Sequence, residues 1–253
     1  MNSSDKKNPH VIGLTGGIGT GKSTAAEYLV SKGMIHVDAD AISRQITEKK
    51  PGVPNPVLEE IGRVFGGAAG KTDADGSGET EAASVSVLRD DGSLDRKAMA
   101  DIVFHDPAKK KLLEDILFRE IIAEIRRQID AALASAETEA DPKEEPEPAA
   151  GDHPKAGPKP LVLLDVPLLF ESGLASLCGK IILIVAGLNV RIERVMARDD
   201  CTAEEVEARI ANQMPDEEKI PLADCIVDNS GTHEELQRQL DDVLASIRSD
   251  EKS

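Results

Sequence analysis

VIGLTGGIGTGKST, residues 11–24, decides the fold of this 253-residue chain. Val11–Thr15 is a short apolar run of the kind that forms a buried strand. Gly16, Gly17, Gly19 and Gly21 follow it, and Lys22 opens a helical pattern that runs to Lys32, with Gly33 as its stop. The segment Gly16–Ser23 fits G-x-x-x-x-G-K-[ST] in the strand–loop–helix setting that this motif requires. Glycines let successive backbone N–H groups point into one concavity. The following helix turns its positive end to the same place. Lys22 adds a cation for the β- and γ-phosphates, and Ser23 a hydroxyl for Mg²⁺. The stretch therefore predicts a nucleoside triphosphate site.

Working outward, strand-like and helix-like runs alternate. Met34–Val37, Leu161–Val166, Lys180–Ala186 and Cys225–Val227 read as further strands. Helices are expected after Ser93, from Asp106-Pro107 to about Ala134, and after Asn189, with capping boxes at Thr202-x-x-Glu205 and Thr232-x-x-Glu235. The alternation predicts right-handed crossovers and a doubly wound parallel sheet, an α/β fold. Two stretches interrupt it. Residues 66–92 carry six glycines and six acidic residues, and residues 136–160 six of the fourteen prolines and seven acidic residues. Neither can bury enough apolar surface to offset its ordering entropy. They are expected to be disordered insertions, about 68–90 and 136–159, in one domain spanning 10–249. Residues 1–9 and 250–253 are expected to be flexible tails.

Composition excludes several classes. Lys and Arg total 30 against 47 Asp and Glu, a formal charge of −17. A nucleic-acid binder or an anionic-membrane binder would need the opposite sign. There is no Trp, one Tyr and only four Phe, too few for base-stacking platforms. Cys178, Cys201 and Cys225 form no C-x-x-C pair and read as reduced thiols of a cytoplasmic protein. No apolar run approaches the ~20 residues of a membrane span. Oligomeric state is not set by the sequence, and a monomer is the default expectation.

A GTPase would carry N-K-x-D, which is missing, and Asp228-x-x-Gly231 is too common a pattern to weigh. A small-molecule kinase remains, and it needs an acceptor site and a base. His36-Val37-Asp38-Ala39-Asp40 follows the second strand, and ligands of doubly wound sheets sit at the carboxyl ends of strands. In extended geometry Asp38 and Asp40 point the same way, so one could accept a hydroxyl proton while the other holds metal or water. Arg44 follows one helical turn later and could contact phosphate. Asp165 ends the strand LVLLDV, the position of a carboxylate that binds Mg²⁺ directly or through water. Glu171 lies beyond it with a weaker claim. Arg191, Arg194 and Arg198 share one face of a predicted helix, and three clustered cations suit a lid that clamps a transferring phosphoryl group. Pairing with Glu193, Asp199 or Asp200 is the competing reading.

With these residues in place, the chain resembles the dephospho-CoA kinase family. The matching stretches are VIGLTGGIGTGKST, VDADAISRQ, Phe65-Gly66, Asp91–Arg96 (DGSLDR), LLDVPLLFESGL, RVMARDDCTAEEVEARIANQM and ADCIVDNSG, in family order along the chain. The resemblance implies transfer of the ATP γ-phosphoryl group to the ribose 3′-hydroxyl of dephospho-CoA, giving CoA and ADP. It implies a P-loop core with a helical substrate-binding part and a small lid. It puts Gly19, Thr20, Gly21, Lys22, Ser23 and Thr24 on the ATP phosphates, Asp40 as general base, Arg194 on the transferring phosphoryl and Arg198 in the lid. Asn229 falls near the adenine and Arg96 in the helical part, so Asp38, Arg44 and Arg96 are the acceptor-side candidates. One departure stands out. The family commonly has His-Pro where this chain has Phe118-Arg119. Without the proline the helix should run straight on, and Arg119 could substitute as an anion donor.

Overall fold

The computed structural model describes residues 7–66, 86–138 and 160–250. In chain order these form β1 (Asn8–Gly16), α1 (Lys22–Ser31), β2 (Ile35–Asp38), α2 (Ala39–Gln45), α3 (Pro56–Phe65), α4 (Arg96–His105) and α5 (Pro107–Thr138). Then come β3 (Val162–Asp165), β4 (Cys178–Val185), α6 (Leu188–Asp199), α7 (Ala203–Ala211), α8 (Asp216–Lys219), β5 (Cys225–Asp228) and α9 (His233–Asp250), with single 3₁₀ turns before β4 and after α8. The chain divides into two compact units, one of residues 1–38 with 128–253 and one of residues 39–127.

The first unit is built on a five-stranded parallel sheet in the order β2-β3-β1-β4-β5. The expected doubly wound α/β fold is what the chain adopts. The connection from β1 leads to β2 on one side, while β3 leads to β4 on the other, so strand order reverses around β1. Crevices form at such reversals, outside the carboxyl ends of the strands, and the glycine-rich stretch leaves β1 at that end. The strand interiors are continuous apolar runs because helices cover the sheet. Ala25, Ala26 and Leu29 of α1 and Leu236, Leu240, Leu244 and Ile247 of α9 pack with Ile12, Leu14, Leu163, Ile182, Ile184 and Val227. Gly13 faces the other way, where a Cβ would lie 2.8 Å from Cys178 Sγ and 2.9 Å from Leu169. Burial there pushes the Cys178 thiol up to about 12.

The second unit has its own core of Val57, Ile61, Phe65, Val87, Met99 and Ile116. Helix α3 was not foreseen, although its start signal is plain. Asn55 accepts from the N–H groups of Val57 (3.0 Å) and Leu58 (3.1 Å), and Pro56 occupies the first turn.

Several expected boundaries shift. Strand β1 begins at Asn8, inside the expected tail, because Asn8 pairs with Cys178. The expected first insertion includes residues 86–90, yet Val87 is fully buried and Leu88 bridges Leu94. That bridge, with Asp95 N–H donating to Val87 O at 2.9 Å, holds residues 88–94 in a turn. The helix therefore starts at Arg96 rather than after Ser93, capped by Asp95, whose carboxylate accepts from Lys97 N–H (3.0 Å) and Ala98 N–H (3.1 Å). Residues 136–138 belong to α5. The remainder of both expected insertions, residues 68–85 and 139–159, lies outside the described residues. Helix α6 starts one residue before Asn189, after Gly187, whose N–H donates to Ser230 Oγ at 2.9 Å. Both capping boxes form, with Thr202 and Glu205 exchanging bonds of 3.0 and 3.3 Å and Thr232 and Glu235 bonds of 2.9 and 3.3 Å. Helix α5 runs unbroken through Phe118-Arg119. Among the described residues no helix is long and apolar enough to cross a membrane.

Candidate active site

Gly16 to Lys22 fold as a bonded loop between β1 and α1. Thr20 is fully buried; its N–H and Oγ1 both donate to Gly17 O, at 3.2 and 2.9 Å. Gly19 (φ +79°) and Gly21 (φ +84°) take the left-handed conformation that side chains resist. Helix α1 begins at Lys22 with no side chain capping its first turn and no acidic residue in it. Its orphan N–H groups and the positive end of its dipole therefore suit an anion.

The loop is held from several sides. Asn229, buried at the end of β5, donates from Nδ2 to Thr20 O at 2.8 Å. A Cβ on Gly21 would collide with that amide nitrogen. Gly21→Ala should therefore destabilise the protein by roughly 2 kcal/mol, a melting temperature lower by about 4–8 °C in a thermal scan. The peptide of Ile18 is gripped at both ends. Its N–H donates to Gln213 Oε1 (2.9 Å), and its carbonyl accepts from Arg191 Nε (2.9 Å). Arg191 is 6% exposed, and its Nη1 lies 3.1 Å from Asp216 Oδ2.

Lys22 Nζ forms an ion pair with Asp165 Oδ1, and the other carboxylate oxygen lies 3.4 Å from His36 Nε2. Asp165 is 6% exposed at the carboxyl end of β3, in register with Leu14 of β1 and Asp38 of β2. The side chain of Arg194 reaches the loop, with Nη1 3.6 Å from where a Cβ of Gly21 would stand. That nitrogen is buried and has no hydrogen-bond partner among the described residues. A buried guanidinium nitrogen left without an acceptor beside a phosphate-type loop has the chemistry of an anion clamp.

The three arginines of α6 do not act alike. Arg191 and Arg194 turn to the loop. Arg198 is exposed and forks onto Asp199 with bonds of 2.7 and 2.9 Å, and Asp199 also receives Arg209 at 2.8 Å. The hydrogen bonds that Arg198 donates to Asp199 raise the pKa of Arg198 and lower that of Asp199. Arg191 finds Asp216 rather than the neighbours weighed from sequence, a partner 25 residues away.

The acceptor-side candidates also need restating. Strand β2 ends at Asp38 and α2 begins at Ala39, so the extended geometry expected for Asp38-Ala39-Asp40 does not hold. Asp40 is exposed in the first turn of α2, and Arg44 lies one turn further on. Within the second unit, Arg44 and Arg96 line one hollow of about 460 Å³ with Ala41, Gln45 and Glu48. Arg119 is taken by carboxylates, with Glu60 and with Glu120 at 3.0 Å. The hydrogen bonds it donates to Glu120 and Glu60 raise its pKa. Sequence reading missed Gln213, Asp216 and Lys219. Nothing local marks their contacts, because their partners Ile18, Arg191 and Glu171 lie 195, 25 and 48 residues away.

A family model described as dephospho-CoA kinase matches residues 10–139 and 152–235. A dephospho-CoA kinase from Anaeromyxobacter dehalogenans is 38% identical over 238 residues, 94% of this chain and 92% of that protein. One from Thermus thermophilus is 35% identical and covers 96% and 94%. Among solved structures, TT1252 from Thermus thermophilus superposes with a TM-score of 0.61 at 35% identity, covering 95% of this chain and 98% of its own. The dephospho-CoA kinase from Campylobacter jejuni gives 0.59 at 24% identity, over 94% and 96%, which speaks for the fold. With its glycine loop, Lys22, Asp165 and Arg194 assembled on a doubly wound sheet, this chain belongs to the dephospho-CoA kinase family.

Proposed function

We propose that Lys22, Arg194 and Asp40 carry the reaction of this kinase, the transfer of the γ-phosphoryl group of ATP to the ribose 3′-hydroxyl of dephospho-CoA. The products are CoA and ADP, the last step of coenzyme A biosynthesis. The observation that carries the assignment is the pairing of two cations with one loop: Lys22 at its end, and Arg194 with a buried nitrogen beside Gly21 that has no hydrogen-bond partner among the described residues.

Phosphoryl transfer asks mainly for positioning and charge neutralisation. The amides of Gly19 to Thr24 seat the triphosphate. Lys22 leaves Asp165 for the β- and γ-phosphates, and Arg194 meets the charge spread over the transferring group. Asp40 takes the proton of the ribose hydroxyl. Ser23 and Asp165 would hold Mg²⁺. Their hydroxyl and carboxylate are the hard oxygen donors this ion takes alongside phosphate and water. Asp165 fits, since among the described residues its second oxygen is engaged only by the 3.4 Å contact with His36. The ion supplies further neutralisation of the triphosphate when bound. Arg44 and Arg96, together at one hollow, suit the anionic part of the acceptor. The cytoplasm is where this reading places the enzyme.

An acceptor panel under constant ATP and Mg²⁺ tests the assignment by ADP release. Dephospho-CoA should exceed nucleoside and sugar acceptors in kcat/KM by at least about tenfold. No ADP above the hydrolysis background, or a tenfold preference for another acceptor, would overturn it.

A further inference from the structure

The loop's apex is gripped by residues that the reaction itself does not call on. Ile18 is the residue of Gly16–Ser23 whose N–H and carbonyl are both bound by side chains from later in the chain, Gln213 and Arg191. Gly17 belongs to this grip. A Cβ there would stand 2.5 Å from Arg191 Nη2 and 3.3 Å from Gln213 Oε1, so glycine is needed for the two side chains to close on the loop. Gln213 lies two residues past the end of α7, its own N–H donating to Ile210 O at 3.0 Å. The segment from Gln213 to Lys219 is then tied down at Glu171. Met214 N–H lies 3.4 Å from Glu171 Oε1, and Lys219 Nζ lies 3.9 Å from the same oxygen. Lys219 is fully buried, and its ammonium has no hydrogen-bond partner among the described residues. Burying an ammonium against one long ion pair costs stability that an apolar side chain would not. What the arrangement supplies is a fixed place for Glu171 and, through it, for Gln213.

We infer that Gln213 is a positioning residue that pre-sets the phosphate loop for ATP, held in place through Glu171, which pairs with the buried Lys219. The inference rests on the reading of this loop as the ATP site. A loop with four glycines has many conformations available, and each one lost on binding weakens affinity. Gripping the Ile18 peptide removes that freedom beforehand, and leaves the amides of Gly19, Gly21, Lys22 and Ser23 for the nucleotide. Removing the acceptor at Gln213 strands the Ile18 N–H and releases the apex, so the cost falls on ATP binding. Once ATP is bound at saturation, the loop is ordered and the chemical step proceeds.

Titration of the full-length protein with Mg-ATP, alongside steady-state kinetics, tests this. Gln213→Leu should weaken ATP binding and raise KM for ATP about tenfold. It should leave kcat, KM for dephospho-CoA and the melting temperature nearly unchanged. Lys219→Met should shift ATP binding the same way by a smaller factor, without lowering the melting temperature. Glu218→Gln, an exposed neighbour, serves as control. Unchanged ATP affinity in Gln213→Leu would overturn the inference. So would a joint rise in both KM values with a fallen melting temperature, the mark of a merely structural residue. If the wild type binds ATP but phosphorylates no dephospho-CoA, the functional assignment fails while the titration still decides the role of Gln213.

Discussion

Lys22→Ala is expected to lower kcat by about 10³-fold or more, since it removes a preorganised cation aimed at charge on the transferring phosphoryl group. The structure explains why the loss should be catalytic and not a failure to fold. Lys22 is the first residue of α1, with its side chain 15% exposed, and among the described residues it pairs with Asp165. Taking the lysine away leaves that largely buried carboxylate with His36 at 3.4 Å, which costs some stability. The sheet and the packing of α1 through Ala25, Ala26 and Leu29 are untouched. Stopped-assay kinetics beside a thermal scan check this, with turnover lost while the protein still unfolds cooperatively at a modestly lowered melting temperature. Lys22→Arg should recover little, because a planar fork does not replace a compact ammonium on a flexible stem. Near-normal kcat in Lys22→Ala would remove the loop from the reaction.

Asp40→Asn should lower kcat by roughly 10²- to 10⁴-fold, the range for loss of a general base, with KM for dephospho-CoA nearly unchanged. Asp40 is exposed in the first turn of α2, where a carboxylate stabilises a helix by about 0.3–1 kcal/mol through the dipole. The amide variant loses only that small contribution, so stability and activity separate in one experiment. Asp38→Asn is the comparison, since the chain bends from strand to helix between the two aspartates. A larger loss in Asp38→Asn than in Asp40→Asn would reassign the base.

What was legible in the sequence is what is local. The strand, four glycines and lysine of residues 11–24 carry their own conformational reasons, so the loop and its helix could be read from fourteen residues. Both capping boxes were legible for the same reason, each confined to four positions. The parallel sheet followed from apolar strand runs alternating with helices. Asp165 was legible as the last residue of such a run. The supports of the loop were not. Asn229 meets Thr20 across 209 residues, and Gln213 meets Ile18 across 195. Only the folded sheet brings these side chains to β1. Arg198 shows the converse. Its spacing with Arg194 was right, but a carboxylate next door captured it. Val87 was hidden inside an acidic, glycine-rich stretch whose average composition masked one core residue.

The most direct measurement is the fate of label from [γ-³²P]ATP. Incubated with dephospho-CoA, the wild-type protein should move the label onto the ribose 3′-hydroxyl of the acceptor, in a product that comigrates with CoA and loses its label to a 3′-phosphatase. The Lys22→Ala protein should not. Label that appears only as inorganic phosphate, or at any other position of the acceptor, would contradict the account.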